Sequence, residues 1–174
     1  MKISLTYKNV IQGKKNKAVG KMFENLISQT CTWYLQQGLA KIEKQAEPMR
    51  PLRALSNGQF IACYESKAGA DYKGTLKGGR AVVFEAKHTE TDVFRREVVK
   101  EWQLEYLVEH KNLGAECFVL LSYGLHSFYR IPVVDWYFMK EKFGRVSLRE
   151  EHVRDYKLRF DGRHILFLEG LLNG

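Results

Sequence analysis

The chain has 174 residues, 45% hydrophobic and 28% charged, a balance that fits one globular domain and excludes a disordered or fibrous chain. The net charge of +8 is uneven: residues 1–60 hold ten Lys and Arg against three Glu, and the remainder is nearly neutral, the electrostatic footprint expected of a phosphate-binding protein. No apolar run approaches the ~18 residues that span a bilayer, and Cys31, Cys63 and Cys117 are too far apart for a disulfide scaffold or zinc site, so a reducing cytoplasm and no membrane partner are expected.

Residues 1–17 are basic and poor in core formers, and read as a flexible arm carrying Lys14, Lys15 and Lys17. From Ala18 the apolar residues Met22, Phe23, Leu26, Ile27, Cys31 and Tyr34 recur at three-to-four spacing, which predicts an amphipathic helix ending near Gly38. Pro48 and Pro51, with Arg50 and Arg53 around them, mark about 47–62 as an irregular or protruding, stalk-like segment.

Strands are predicted over Phe60 to Glu65, from near Asp71, and over Arg80 to Lys87, with Lys77-Gly78-Gly79 as a hairpin turn between the last two. Val93 to His110 has helical periodicity, closed by Gly114. Cys117 to Tyr123 and Phe128 to Val133 read as strands, and Asp135 to Lys142 as a short helix with Asp135 as its cap. His164 to Leu168 is compatible with either a strand or a helix. This order gives an α/β fold in one domain, a mixed central sheet flanked by helices.

The chemistry rests on Asp71, Glu85 and Lys87. With the turn centred on Gly78, Asp71 lies seven residues before it and Glu85 seven after, so an antiparallel pair sets the two carboxylates face to face. Lys87 projects from the same face as Glu85. Hard oxygen ligands favour Mg²⁺, with Mn²⁺ as a substitute. A cation there would polarise a phosphate, while Lys87 positions water or stabilises developing charge. Alone, the spacing is weak, because Glu-x-Lys commonly sits on a solvated strand face. Val82-Val83-Phe84 just before it makes this a core strand, where unneutralised carboxylates are costly.

Further residues carry a resemblance. Tyr64 through Gly74, with Asp71-Tyr72-Lys73-Gly74 at its end, is followed by Gly79-Arg80, Phe84-Glu85-Ala86-Lys87-His88-Thr89 and Trp102-Gln103-Leu104-Glu105-Tyr106-Leu107. With Gly20-Lys21-Met22-Phe23-Glu24 before them and Gly114 to Leu120 after, these segments resemble the RecU family of Holliday junction resolvases over about residues 20–136. The resemblance implies a PD-(D/E)xK restriction-endonuclease-like core, a homodimer, Mg²⁺ dependence and symmetric nicking of four-way DNA junctions. It also implies that Asp71 and Glu85 hold the metal, that Lys87 acts on the transition state and that Gln103 lies beside the metal. Glu24 matches an acidic position on the first helix that completes such sites, which places it with the expected catalytic residues Asp71, Glu85 and Lys87. Three departures stand out: Gly69 replaces a usual hydroxyl residue, Trp102 a usual His, and the stalk is short, as in a phage-encoded member.

The expected function is therefore a magnesium-dependent crossover junction endonuclease acting in recombination and repair, in a bacterial or phage-infected cell, alongside other recombination proteins. Lys14, Lys15, Lys17, Lys21, Arg50, Arg53 and Lys73 are the expected DNA contacts. The alternatives are a nuclease of the same fold acting on duplex DNA, and a junction-binding protein without catalysis.

Overall fold

Helix α1, Lys2–Gln36, buries Phe23, Ile27, Cys31 and Tyr34 along one stripe, the face that the three-to-four spacing predicts. The computed structural model describes residues 2–64 and 69–172, and of 2–12, 14 and 15 the backbone alone. The expected arm is corrected here: the backbone of 2–17 continues the helix. That stretch lacks an apolar stripe but also lacks proline, and its Lys, Gln and Leu residues tolerate helix well. The helix ends before Gly38, whose φ of +65° suits glycine.

Strand β1, Ala40–Lys44, follows at once; its alternating burial places Ala40 and Ile42 in the core. The expected irregular stalk is instead a hairpin of β2, Met49–Ala54, and β3, Phe60–Tyr64, with a register shift between Pro51 and Arg53. Proline cannot donate to the ladder, so the shift and an exposed two-stranded ribbon accommodate it. The strand expected at Phe60 exists, but it pairs only within this ribbon.

Strands β4, Tyr72–Leu76, and β5, Ala81–Thr89, pair antiparallel about the Gly78-Gly79 turn, with Tyr72 opposite Phe84. Both turn glycines have φ above +90°, a region that favours glycine. A two-residue strand β6, Phe94–Arg95, comes next, and helix α2 spans only Glu101–Asn112. The helix expected from Val93 starts late because Gln103 caps it, its Oε1 accepting from the Lys100 amide at 3.1 Å.

Strand β7, Glu116–Tyr123, lies parallel to β5, and β8, Ser127–Pro132, pairs antiparallel with β7. Helices α3, Val133–Tyr137, and α4, Met139–Phe143, precede β9, Ser147–Leu148, which pairs with β6. Asp135 does not cap: it lies inside α3, where its carboxylate accepts a 2.6 Å bond from the Tyr156 hydroxyl.

The central sheet has the order β1-β4-β5-β7-β8. One apolar core on its α2 side contains Leu104, Leu107, Val119 and Trp136. A second on its α1 side contains Phe23, Ile27, Phe84, Phe118 and Phe167. This is the expected mixed sheet flanked by helices. The tail around His164 to Leu168 forms neither strand nor helix. It lies over the α1 side, where the Ile165 amide donates to Thr30 Oγ1 at 3.1 Å and the Leu168 amide to the Tyr34 hydroxyl at 3.0 Å.

Candidate active site

The antiparallel register that sets Tyr72 opposite Phe84 brings Asp71 and Glu85 together at the open end of that pair. The contact is reciprocal. The Asp71 amide donates to Glu85 Oε1 at 3.2 Å, and the Ala86 amide donates to Asp71 Oδ2 at 2.9 Å. Backbone groups thus fix both carboxylates relative to one another.

Lys87 completes the cluster from one pleat further along β5. Its ammonium lies 2.8 Å from Glu85 Oε2 and 3.8 Å from Asp71 Oδ2. Gln103 reaches over from the first turn of α2 and donates to the same Glu85 oxygen at 2.6 Å. Its carbonyl is already tied to the Lys100 amide, so the side chain is held at both ends. The α2 cap and the orientation of Glu85 therefore depend on one residue.

Glu85 is fully buried. Burial first, then the Asp71 charge, pushes its carboxyl up to about 8, while Lys87 pulls the other way. A buried carboxyl beside a second one is a strong demand for positive charge. Lys87 meets part of that demand, and Asp71, about one-third exposed, opens the pair to solvent.

Glu24 shares two clefts with Asp71, one of them also lined by Gln103. Its carboxylate is bound at 2.7 Å by Lys44 and at 3.3 Å by Lys21. Partial burial acts to raise its pKa, but these two ammonium groups hold it below the usual range. Among the described residues, no group of three or more His, Cys, Asp and Glu is gathered closely enough to hold a metal. The site consists of two carboxylates, an ammonium and an amide, with Glu24 across the cleft.

The expected DNA contacts are spread out. Arg50 and Arg53 are exposed on the β2–β3 ribbon, and Lys17 and Lys21 on α1. The side chains of Lys14 and Lys15 lie outside the described residues. Lys73 turns onto α2 instead of outward, donating to the Tyr106 hydroxyl at 2.5 Å. Sequence reasoning missed Lys44 and Met49 and gave no role to Tyr64 and Trp102, all of which line the cleft. The alternation in Ala40-Lys41-Ile42-Glu43-Lys44 was the available signal for the strand that carries Lys44.

The sequence pattern of a family described as Recombination protein U (RecU) matches residues 18–169. The Holliday junction resolvase RecU of Lactococcus lactis subsp. lactis is 30% identical, covering 94% of this chain and 81% of its own length. That of Streptococcus gordonii is 31% identical over 74% of this chain and 70% of its own. Among solved structures, the Holliday junction resolvase Hjc of Archaeoglobus fulgidus is similar at a TM-score of 0.43 and 15% identity, covering 77% of this chain and 91% of that one.

Proposed function

The chain belongs to the RecU family, and from that premise we propose that it is a Holliday junction resolvase, a homodimeric endonuclease that cuts four-way DNA junctions at symmetric positions with Mg²⁺ as cofactor. The observation that carries the reading is the convergence of Asp71, Glu85 and Lys87 in one cluster within reach of Gln103. A two-fold dimer presents two such sites to one branch point, which suits paired nicks.

The donor set fits a hard divalent cation. Mg²⁺ commonly takes one or two protein carboxylates and keeps several waters, and Asp71 and Glu85 are the residues that would hold it, with Mn²⁺ as the expected substitute. When bound, such an ion polarises a phosphate oxygen and makes its water a better nucleophile.

The chain's own groups have separate tasks. Gln103 keeps Glu85 pointed at the cluster by donating to Oε2. Lys87 lies close enough to both carboxylates to face a phosphate seated against them, where its charge stabilises the transition state. Asp71, the more open acid, faces the cleft that Glu24 closes from the α1 side. Exposed Arg50 and Arg53 on the ribbon, and Lys17 and Lys21 on α1, are assigned to junction phosphates. Family membership supports a place in the cytoplasm of a bacterial or phage-infected cell, beside other recombination proteins; separately, among the described residues, no helix is long and apolar enough to cross a membrane.

The test compares a labelled four-way junction with linear duplex of the same sequence, with and without Mg²⁺. Paired, Mg²⁺-dependent nicks in the junction alone are expected. Asp71→Asn should still bind the junction but not cut it. Equal cutting of duplex and junction would replace this reading with a duplex nuclease, and cutting by Asp71→Asn would remove the site assignment.

A further inference from the structure

A cleft of about 710 Å³ beside Asp71 is lined by the polar side chains of Asp71, Gln103 and Glu24 and also by Trp102, Tyr64 and Met49. A phosphate group needs charge and hydrogen-bond donors, so the last three offer it little. Their side chains suit a flat, apolar face.

These three residues come from two elements. Trp102 immediately precedes Gln103 in the first turn of α2, the turn that Gln103 fastens to Lys100. The indole is thus anchored to the same turn that orients Glu85. Met49 and Tyr64 are cross-strand partners at the base of the β2–β3 ribbon. They are 52% and 67% exposed, a large apolar surface to leave in water beside a reactive centre.

We infer that Trp102, with Tyr64 and Met49, forms a stacking site for one unpaired nucleobase adjoining the phosphate that is cut. The inference rests on the nuclease reading and deepens it by naming what the cleft recognises next to the reacting group. The volume lies in the range of small-molecule pockets and accommodates a base with its sugar. Any base has a π-face, so aromatic stacking is tolerant of sequence. Within a continuous duplex each base stacks on its neighbours, and withdrawing one is least costly where pairing is already broken. A site that demands a withdrawn base therefore favours a branch point over intact duplex. Lys44 lines the same cleft, paired with Glu24 at 2.7 Å.

The test uses a four-way junction with 2-aminopurine substituted in turn at each nucleotide flanking the nick, bound to Asp71→Asn protein so that it stays uncut. At one position the base should stack on Trp102, and its fluorescence should rise when Trp102→Leu is added but not when Trp102→Phe is. In cutting assays without the Asp71 change, Trp102→Leu should lose about tenfold or more in rate, with Trp102→Phe close to wild type. An abasic site at the same nucleotide should slow the wild type by a similar factor and add nothing to Trp102→Leu. Unchanged cutting of the abasic junction by the wild type would overturn the inference, even if Trp102→Leu failed to fold. So would equal cutting by wild type and Trp102→Leu. Failure of the wild type to cut any junction would instead strike the resolvase reading.

Discussion

The ring of Tyr106 lies directly against the backbone of Gly69, in the space that a Cβ at that position would need. The ring has little freedom to retreat: Lys73 donates to its hydroxyl, and the His110 ring meets it edge-on with centroids 4.7 Å apart. A hydroxyl residue at this place, which the family resemblance led us to expect, is therefore incompatible with Tyr106 as packed here. Gly69→Ser should cost about 1–3 kcal/mol in urea denaturation, and most of that loss should vanish in a Gly69→Ser/Tyr106→Ala double variant.

A pH dependence follows from Glu85. Unfolded, it titrates near the usual 4.5; folded, near 8. Between those values the native state holds a proton that the unfolded state has released, so cation-free stability should fall as pH rises from about 4.5 to about 8 and then level off. A bound divalent cation favours the charged carboxylate and should flatten that slope. Melting temperatures across this range, with and without Mg²⁺, check both signs. Calorimetry near pH 6.5, in buffers of different ionisation enthalpy, should show proton release on Mg²⁺ binding.

Lys87 is expected to matter for cutting far more than for binding. Lys87→Ala should lower the single-turnover cutting rate by about 10²-fold or more while junction affinity changes little. A parallel loss of affinity would make the ammonium a DNA tether instead.

The ribbon arginines have the opposite signature. Arg50→Ala and Arg53→Ala should each make the plot of log affinity against log salt shallower by about one unit. Once DNA is saturating, the cutting rate should recover.

Phe167 sets the stability of the other side of the sheet. It is fully buried, with ring centroids 5.3 Å from Phe84 and 5.1 Å from Tyr34. Phe167→Ala should cost about 3–5 kcal/mol, read from the urea midpoint.

The Asp71–Glu85 contact was legible because Gly78-Gly79 fixes the turn, and a fixed turn fixes which residues oppose one another. The α1 stripe and the apolar run of β7 were legible through periodicity and length. Gln103 and Glu24 had no pattern of their own and came from the family resemblance. Strand β1 was missed because only Ala40 and Ile42 face inward. The first strand of the ribbon was hidden by Pro51, which local rules place outside a ladder. The tail was unreadable for another reason: its amides and carbonyls are satisfied by Thr30, Tyr34, Arg80 and Arg130, all distant in sequence. Nothing local could announce those partners.

The parallel ladder between β5 and β7 has a consequence for the order of events on the ribosome. Glu85 and Lys87 are translated well before the residues that give their strand its second neighbour, and α2, which brings Gln103, must cross over in between. The surface behind Phe84 is sealed later still, by Phe167. A growing chain thus carries its acids and lysine before the architecture that gathers them, which closes only once the residues around Phe167 have emerged.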